Sequence, residues 1–230
     1  SGIGALGLGN TTNYSSPVQV GALTDWYDVV NGYLNGFGLK TDGTLWAWGQ
    51  NGYGELGLGT TINISSPQQV GALTTWSSLG GGYNHTAAIR GDGTLWTWGR
   101  NQYYGNLGLG NTTNYSSPKQ VGALTDWAKA SCGTSFTMAI KTDGTLWGFG
   151  RNGNGELGIG TTTDVSSPVQ VGALTDWAEV SGRSFQTTAL KTDGTIWTWG
   201  ANTTGAGGQG NTTEYSSPVQ VGALTTWATI

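Results

Sequence analysis

The stretch KTDGTLWAWG at residues 40–49 returns three more times along this chain of 230 residues. The later copies are RGDGTLWTWG at 90–99, KTDGTLWGFG at 141–150 and KTDGTIWTWG at 191–200. Each copy contains an Asp-Gly pair followed by an apolar run, which is typical of a tight turn that leads into a strand. The Asp-Gly pair predicts a type I′ turn, in which both central residues take a positive φ angle.

The apolar run after this turn predicts a strand that is covered on both faces, because it does not alternate with polar residues. Its third position is small in every copy, as at Ala47, so we expect an aromatic ring of a neighbouring sheet to pack over it. The tryptophans of these strands are assigned to the structural core: Trp46, Trp48, Trp96, Trp98, Trp147, Trp197 and Trp199.

Tryptophan and proline set the period of the repeat. Trp26, Trp76, Trp127, Trp177 and Trp227 are separated by 50, 51, 50 and 50 residues, and the five prolines keep the same spacing. A fixed period in this range predicts a propeller or a solenoid. Glycine and Ser-Pro pairs divide each unit into four short strands, at 76–79, 86–90, 94–98 and 117–121 in one unit. Four strands per unit predict a propeller blade.

We therefore predict one all-β propeller domain over residues 1–230, built from four-stranded blades. Four full units lie at 26–75 (unit 1), 76–126 (unit 2), 127–176 (unit 3) and 177–226 (unit 4), with partial units at 1–25 and 227–230. Three interpretations of the partial units stay open: a fragment of a larger propeller, a small closed propeller, or chains that complete one another. Open blade edges would make self-association a further expectation.

The charge balance argues against binding to nucleic acid. The net charge is -4, and the nine Lys and Arg residues do not cluster as phosphate contacts require. Four of them, Lys40, Arg90, Lys141 and Lys191, occupy the same hairpin corner, which we interpret as a solvated strand end. The chain has no apolar run of the ~18 residues that a membrane helix needs, and no targeting signal. We predict no membrane insertion.

Several consecutive segments of units 1 and 2 resemble the repeat of the regulator of chromosome condensation family. They are ELGLGTT at 55–61, SSPQQV at 65–70, GYNHTAAI at 82–89 and GTLWTWG at 93–99, and the likeness recurs along the entire chain. The resemblance implies blades arranged about a central axis, usually seven of them. It also implies action by protein contact, as in the family's β-lactamase inhibitor and small-GTPase exchange factor. The insertion that the exchange factor uses is absent from this sequence.

Two short columns of the repeat vary between units, whereas turns and core positions stay constant. One column lies between the first two strands, and the other follows the Trp-Gly pair at the end of the third. Aromatic side chains in such loops form rigid contact surfaces in binding proteins. The candidate partner-binding residues are Tyr33, Asn35, Tyr53, Tyr83, His85, Tyr103, Tyr104, Phe136, Phe185 and Gln186.

The inventory of reactive side chains predicts that the chain is not an enzyme. His85 is the only histidine and Cys132 the only cysteine, so no nucleophile-base pair or histidine-rich metal site can be nominated. We interpret both as structural. The GxGxxG pattern at 52–57 and 153–158 lacks the helix that dinucleotide binding requires. No cofactor, catalytic residue or metal site is predicted.

Two functions from different classes remain. The first is a non-enzymatic protein-protein interaction scaffold that presents its variable loops on a rigid propeller. The second is an extracellular structural or adhesive module, part of a bacterial surface protein or a phage fibre, whose exposed aromatic rings would bind glycans. The low charge, 10% of residues, is typical of an extracellular or virion surface, although no signal peptide is present. The partner is expected to be an unidentified protein or a glycan.

Overall fold

The computed structural model describes residues 2–22 and 24–230, so that Ser1 and Leu23 of the partial opening unit lie outside the described residues. Within this part of the chain, sixteen strands form four antiparallel sheets of four strands each. The strands are β1 Trp26–Asn31, β2 Asn35–Lys40, β3 Leu45–Gly49, β4 Ile64–Gln69, β5 Trp76–Gly81, β6 His85–Arg90, β7 Leu95–Gly99, β8 Tyr115–Gln120, β9 Trp127–Cys132, β10 Phe136–Lys141, β11 Leu146–Gly150, β12 Val165–Gln170, β13 Trp177–Arg183, β14 Gln186–Lys191, β15 Ile196–Gly200 and β16 Tyr215–Gln220. The predicted all-β fold of four-stranded units is confirmed.

Strands follow one another across each sheet in chain order, so every unit is a simple meander. The first strands of successive sheets contact each other, β1 with β5, β5 with β9 and β9 with β13. Their ends, together with the loops that follow them, surround a cavity of about 450 Å³. The four sheets are thus arranged about a common axis, with the first strand of each sheet innermost.

The long loop between the third and fourth strands packs one unit against the next. Leu56 of unit 1 is fully buried in a cluster that joins Phe37 of its own sheet to Trp98 of unit 2. The backbone carbonyl of Glu55 accepts hydrogen bonds from Thr86 Oγ1 at 2.8 Å and from Trp98 Nε1 at 2.9 Å. The loops of units 1, 2 and 3 therefore each supply both an apolar plug and a polar anchor to the following sheet.

The corresponding loop of unit 4 is polar where the others are apolar. Gly207 and Gln209 stand in place of the Leu157 and Ile159 of unit 3. The side-chain amide of Gln209 donates to the hydroxyl of Thr198, which in turn donates to the carbonyl of Gly207 at 2.7 Å. Unit 4 therefore has a polar contact at this place and lacks the apolar plug of the three preceding loops.

In unit 3 the atoms nearest to the small third-strand position belong to Met138 and Leu157 and not to the aromatic ring that we expected. Gly148 is the unit 3 equivalent of Ala47. A Cβ atom built at Gly148 would lie 3.0 Å from Met138 Sδ and 3.3 Å from Leu157 Cδ2. The side chain that packs over Gly148 from the long loop is Leu157, and the sequence pattern did not associate this leucine with strand β11.

The hairpin turn between the second and third strands is not of type I′. Gly43 has a φ angle of +76°, but Asp42 is not among the residues with positive φ. Gly43 N donates to Lys40 O at 2.9 Å and Lys40 N donates to Thr44 O at 3.0 Å, the pattern of a type I turn closed by a glycine bulge. The prediction failed because four residues, not two, separate the strands, so that only the glycine must be left-handed.

The aspartate of this turn begins a relay of hydrogen bonds that recurs in all four units. Asp42 Oδ1 accepts from Thr44 Oγ1 at 2.7 Å, and Thr44 Oγ1 accepts from Trp46 Nε1 at 2.9 Å. Hydrogen bonds from the threonine hydroxyl and amide lower the pKa of the Asp42 carboxyl. The indole nitrogen of the half-buried Trp46 is thereby held by a hydrogen bond. We call this end of the sheets the hairpin face.

The basic residues at the hairpin corner are buried in three units, so our interpretation of them as a solvated strand end was wrong. Lys40 is 8% exposed; its ammonium lies 4.6 Å from the ring centre of Trp46 and 3.4 Å from Asp25 Oδ2. Lys141 and Lys191 repeat this arrangement. The cause is the aspartate before each first strand, which pairs with the ammonium while the ring covers its alkyl stem.

Candidate partner-binding face

Both variable columns lie at the end of the sheets opposite the hairpin face, and backbone hydrogen bonds tie them together. Gln50 N donates to Leu34 O at 2.9 Å, and Arg100 N donates to Asn84 O at 2.8 Å. The side-chain amide of Gln50 also reaches Asn84 Oδ1 of the next unit at 3.3 Å. The two columns thus form one surface, which we call the variable face.

Tyr33 and Tyr83 stack beside the axial cavity. Their ring centres are 3.9 Å apart and the rings are inclined by 18°. Tyr33 is 57% exposed and Tyr83 is 37% exposed. Hydrogen bonding to Tyr33 raises the pKa of the Tyr83 phenol. The stack is a rigid aromatic platform, and Arg183 lines the same cavity.

A second group of aromatic rings surrounds Arg100. The guanidinium carbon lies 4.9 Å from the ring centre of Tyr53 and 5.4 Å from that of Tyr103, distances typical of cation-π contact. The rings of Tyr103 and Tyr104 are 6.1 Å apart. Tyr103 is 70% exposed, whereas Tyr53 and Tyr104 are half-buried.

In unit 3 the equivalent arginine is neutralised within the chain. Arg151 forms an ion pair with Glu156 and donates to Asn154 Oδ1 at 2.9 Å. Its guanidinium stacks on Phe185, with 4.3 Å between the guanidinium carbon and the ring centre. Burial raises the pKa of the Glu156 carboxyl, and the neighbouring Arg151 opposes that rise.

Three of the ten candidate residues are buried and offer no surface to a partner. Asn35 is 5% exposed, His85 is 1% exposed and Phe136 is fully buried. Each begins the second strand of its unit, and its side chain packs beneath the glycine three positions earlier. A Cβ atom at Gly133, for example, would lie 2.0 Å from Phe136 Cε1. In unit 4 that glycine is Arg183, and the corresponding Gln186 is only half-buried.

The only histidine and the only cysteine meet below the variable face. His85 Nε2 lies 3.0 Å from Thr137 Oγ1, and Cys132 Sγ lies 3.9 Å from the same hydroxyl. Burial lowers the pKa of His85 to about 4 and raises the pKa of Cys132 to about 12. A neutral imidazole and a protonated thiol are the opposite of an activated pair. Sequence spacing could not reveal this proximity, since the residues belong to adjacent units.

Among the described residues, no group of three or more His, Cys, Asp or Glu side chains is placed to hold a metal ion. Over the same residues there is no helix with the length and hydrophobicity needed to cross a bilayer. What the variable face does present is aromatic rings and arginine, the residue types enriched at the energetic centres of protein interfaces.

Comparison with known families identifies the repeat. The family model "Regulator of chromosome condensation (RCC1) repeat" matches residues 42–89, 92–140, 143–190 and 193–230. A second model with the same description matches residues 76–105 and 127–156. The segments matched by the first model begin at the Asp-Gly turn of each unit and together cover most of the chain.

Solved structures share the fold at low sequence identity. Human WBSCR16 matches with a TM-score of 0.78 and 19% identity over 93% of this chain and 55% of its own. Prp20p from Saccharomyces cerevisiae, described with its binding properties to Gsp1p and histones, matches with a TM-score of 0.80 and 21% identity over 90% of this chain and 53% of its own. Yeast Prp20 bound to Kap60 gives a TM-score of 0.79 and 22% identity over 90% and 51%. The chain spans about half the length of these proteins, and the predicted propeller fold is confirmed.

Proposed function

The chain belongs to the regulator of chromosome condensation repeat family, and from this premise we propose that it is a non-enzymatic scaffold that binds a partner protein through its variable face. The observation that carries the proposal is the convergence of both variable columns on one surface. Tyr33, Tyr83 and Tyr103 expose aromatic rings there, next to Arg100 and Arg183. The opposite face, by contrast, repeats the relay from aspartate through threonine to tryptophan in all four units.

Rigid placement of the exposed rings supports this function. Tyr33 is held by stacking on Tyr83, and Tyr103 lies against Arg100. Side chains that are already ordered lose little conformational entropy when a partner binds, which favours affinity. Protein binding by the related Prp20p, to Gsp1p and histones, agrees with this class of function without identifying the partner of this chain.

Site-specific photo-crosslinking tests the proposal. A benzophenone amino acid replaces Tyr33 or Tyr103 on the variable face, and Thr142 on the hairpin face serves as the matched exposed control. We expect light-dependent capture of the same protein through positions 33 and 103 and not through 142. Unlabelled wild-type chain should compete for this capture, whereas a chain carrying both Tyr33→Ala and Tyr103→Ala should not.

Two results would contradict the proposal. Equal capture through Thr142 would mean that the variable face has no special role. Saturable binding on a glycan array, lost in the double tyrosine variant and without protein capture, would instead support the adhesive module. The array therefore separates the two functions with the same pair of variants.

Self-association through open blade edges is less well supported than partner binding. Within the chain, Leu56, Leu107 and Leu157 make the apolar contacts that join one unit to the next. A second copy that continued the propeller after unit 4 would need an equivalent contact, but the loop of unit 4 has Gly207 at the leucine position and Gln209 two residues later. Light scattering tests this directly. A monomer mass near 23.8 kDa is expected, and a defined oligomer would make assembly the leading function.

A further inference from the structure

The two arginines that directly follow a third strand, Arg100 after β7 and Arg151 after β11, differ in how their charges are balanced. Arg151 has a carboxylate, Glu156, within its own loop. At the equivalent place in unit 2 stands Asn106, whose amide donates to the backbone carbonyl of Arg100 at 2.6 Å. Over the residues that the structure describes, Arg100 takes part in none of the ion pairs. Its positive charge is left without an internal counter-ion.

The surroundings of Arg100 remove part of its contact with water. Tyr53 and Tyr103 cover the guanidinium, and the buried Nε atom has no hydrogen-bond partner among the described residues. A donor that has lost water without gaining an acceptor is costly. The same loss of water makes a bond to an incoming anion stronger than it would be on an open surface.

The loop that carries Arg100 has features that the other three loops lack. It is one residue longer than its counterparts, and Tyr103 has a φ angle of +87°. A positive φ angle strains a residue with a side chain, and such strain is concentrated at functional sites. Here the strained backbone holds the exposed tyrosine ring against the guanidinium.

The charges of the variable face add to this picture. Three of the chain's four arginines, Arg100, Arg151 and Arg183, lie on this face. The carboxylates of Glu55 and Glu156 are fully buried beneath it. Arg151 is neutralised by Glu156, so it is Arg100, with no ion-pair partner among the described residues, that suits the surface next to Tyr53 and Tyr103 to a negatively charged group, although the whole chain has a net charge of -4.

Resting on the proposed function, we propose that Arg100 receives the carboxylate of an Asp or Glu side chain of the partner protein, enclosed between Tyr53 and Tyr103. The planar guanidinium can donate two parallel hydrogen bonds to a carboxylate. The tyrosine rings flank that pair and keep water away from it. The acidic residue of the partner would supply the charge that Glu156 supplies to Arg151.

Selection from a displayed library of unphosphorylated random dodecapeptides tests the proposal. The wild-type chain, Arg100→Gln and Arg151→Gln are used as separate baits; glutamine occurs naturally at this position in unit 1, as Gln50. We expect Asp and Glu to be enriched in peptides selected on the wild type and on Arg151→Gln. The enrichment should disappear on Arg100→Gln, and the wild-type peptides should bind that variant at least about tenfold more weakly.

A second variant tests the charge of Arg100 without removing its side chain. Asn106→Glu introduces the residue found at Glu55 and Glu156, and should pair with Arg100 inside the loop. We expect it to abolish the acidic preference as Arg100→Gln does. Replacing the peptide's acid by its amide should weaken wild-type binding and leave binding to Arg100→Gln unchanged, as a double-mutant cycle requires.

The outcomes separate this inference from the proposed function. If selected peptides lose binding to the Tyr33→Ala, Tyr103→Ala double variant but show no acidic preference, the carboxylate site is wrong and the scaffold function stands. The same holds if the acidic preference survives in Arg100→Gln. If no selected peptide depends on the tyrosines or on Arg100, both proposals fail.

Discussion

The hairpin face and the variable face are opposite ends of the same strands, yet they differ in how much the units resemble each other. At the hairpin face the relay from aspartate through threonine to tryptophan has nearly the same lengths in units 1 to 4, with the threonine hydroxyl 2.6–2.7 Å from the carboxylate. At the variable face, Arg100, Arg151 and the corresponding Ala201 have three different environments.

The difference follows from what each end contacts. The turn at Gly43 accepts a hydrogen bond from Trp76 N at 3.1 Å, where the next unit begins, and a Cβ atom at Gly43 would lie 2.2 Å from Thr74 O. A change there would disturb two units at once. The position that opens each long loop, occupied by Gln50, Arg100, Arg151 and Ala201, is only half-buried, so it can vary without opening the core. Specific recognition is therefore expected where the repeat is least regular.

The largest expected effect separates the two tryptophans of one strand. Trp98 is fully buried and bonded to Glu55 O, while Trp96 is half-buried and bonded to Thr94 in the hairpin relay. Trp98→Ala should lower the free energy of unfolding by about 3–5 kcal/mol through the cavity that it leaves. Trp96→Ala should cost less than about 3 kcal/mol because less surface is buried. Urea denaturation measures both.

Unit 3 supplies the matched control, since Phe149 occupies the position of Trp98 there and is also fully buried. Trp98→Phe removes the indole donor and keeps a ring, so it should cost less than Trp98→Ala. If Trp96→Ala proved as damaging as Trp98→Ala, the inter-unit contact would not be what holds the propeller together.

The sequence predicted the strands and the core well because every unit repeats the same pattern of residues. Strand number, strand order along the chain and the burial of Trp98 and Trp199 all follow from the repeated apolar runs and glycines. The errors concern the geometry of the hairpin turn and the contacts of individual side chains. The burial of Lys40 beside Trp46 depends on Asp25, which directly precedes the neighbouring strand β1 and is a partner that no local pattern identifies.

The candidate site was predicted in part. The two variable columns could be recognised, but their convergence on one face required the strand pairing. The burial of Phe136 had a readable signal, the glycine three residues before it, which becomes Arg183 in unit 4. The lack of an ion-pair partner for Arg100 also had a readable signal in the sequence, because Asn106 replaces the glutamate of units 1 and 3. Both signals need units to be compared position by position.

The next largest effect on stability is expected from His85, which lies below the variable face and is buried in the core. Because burial lowers its pKa from the ordinary 6.5 to about 4, the unfolded chain takes up the proton first as the pH falls. The contribution of neutral His85 to the free energy of unfolding is therefore complete above about pH 6.5, and it is lost as the pH falls from 6.5 to 4. That loss amounts to about 3 kcal/mol. Unfolding free energies measured across this range should show the slope.

His85→Gln is the control, since glutamine stands at the equivalent Gln186. The buried carboxyls of Glu55 and Glu156 have raised pKa values and act in the opposite direction, gaining stability as the pH falls. The difference between wild type and His85→Gln at each pH removes their effect. A difference that did not change with pH would show that the histidine is accessible from the variable face.

A smaller effect, equal in every unit, is expected at the hairpin face. Thr44→Val, Thr94→Val and Thr145→Val each remove a hydroxyl that accepts from a tryptophan and donates to an aspartate. Each should cost about 1–2 kcal/mol, because the half-buried indole loses its acceptor. Thermal or urea unfolding of the three single variants measures the spread. Values that differ by more than about 1 kcal/mol between units would contradict the regularity of this face.

The smallest effect should come from the most exposed ring of the variable face. Tyr103→Ala changes a side chain that is 70% exposed, so the free energy of unfolding should change by less than about 0.5 kcal/mol. Tyr103→Gly should give a more stable chain than Tyr103→Ala, because the φ angle of +87° strains alanine but not glycine. Partner capture should be lost in both. A stable variant that no longer binds would mean that this loop keeps a strained conformation for recognition. A large loss of stability would instead mean that Tyr103 stabilises the fold.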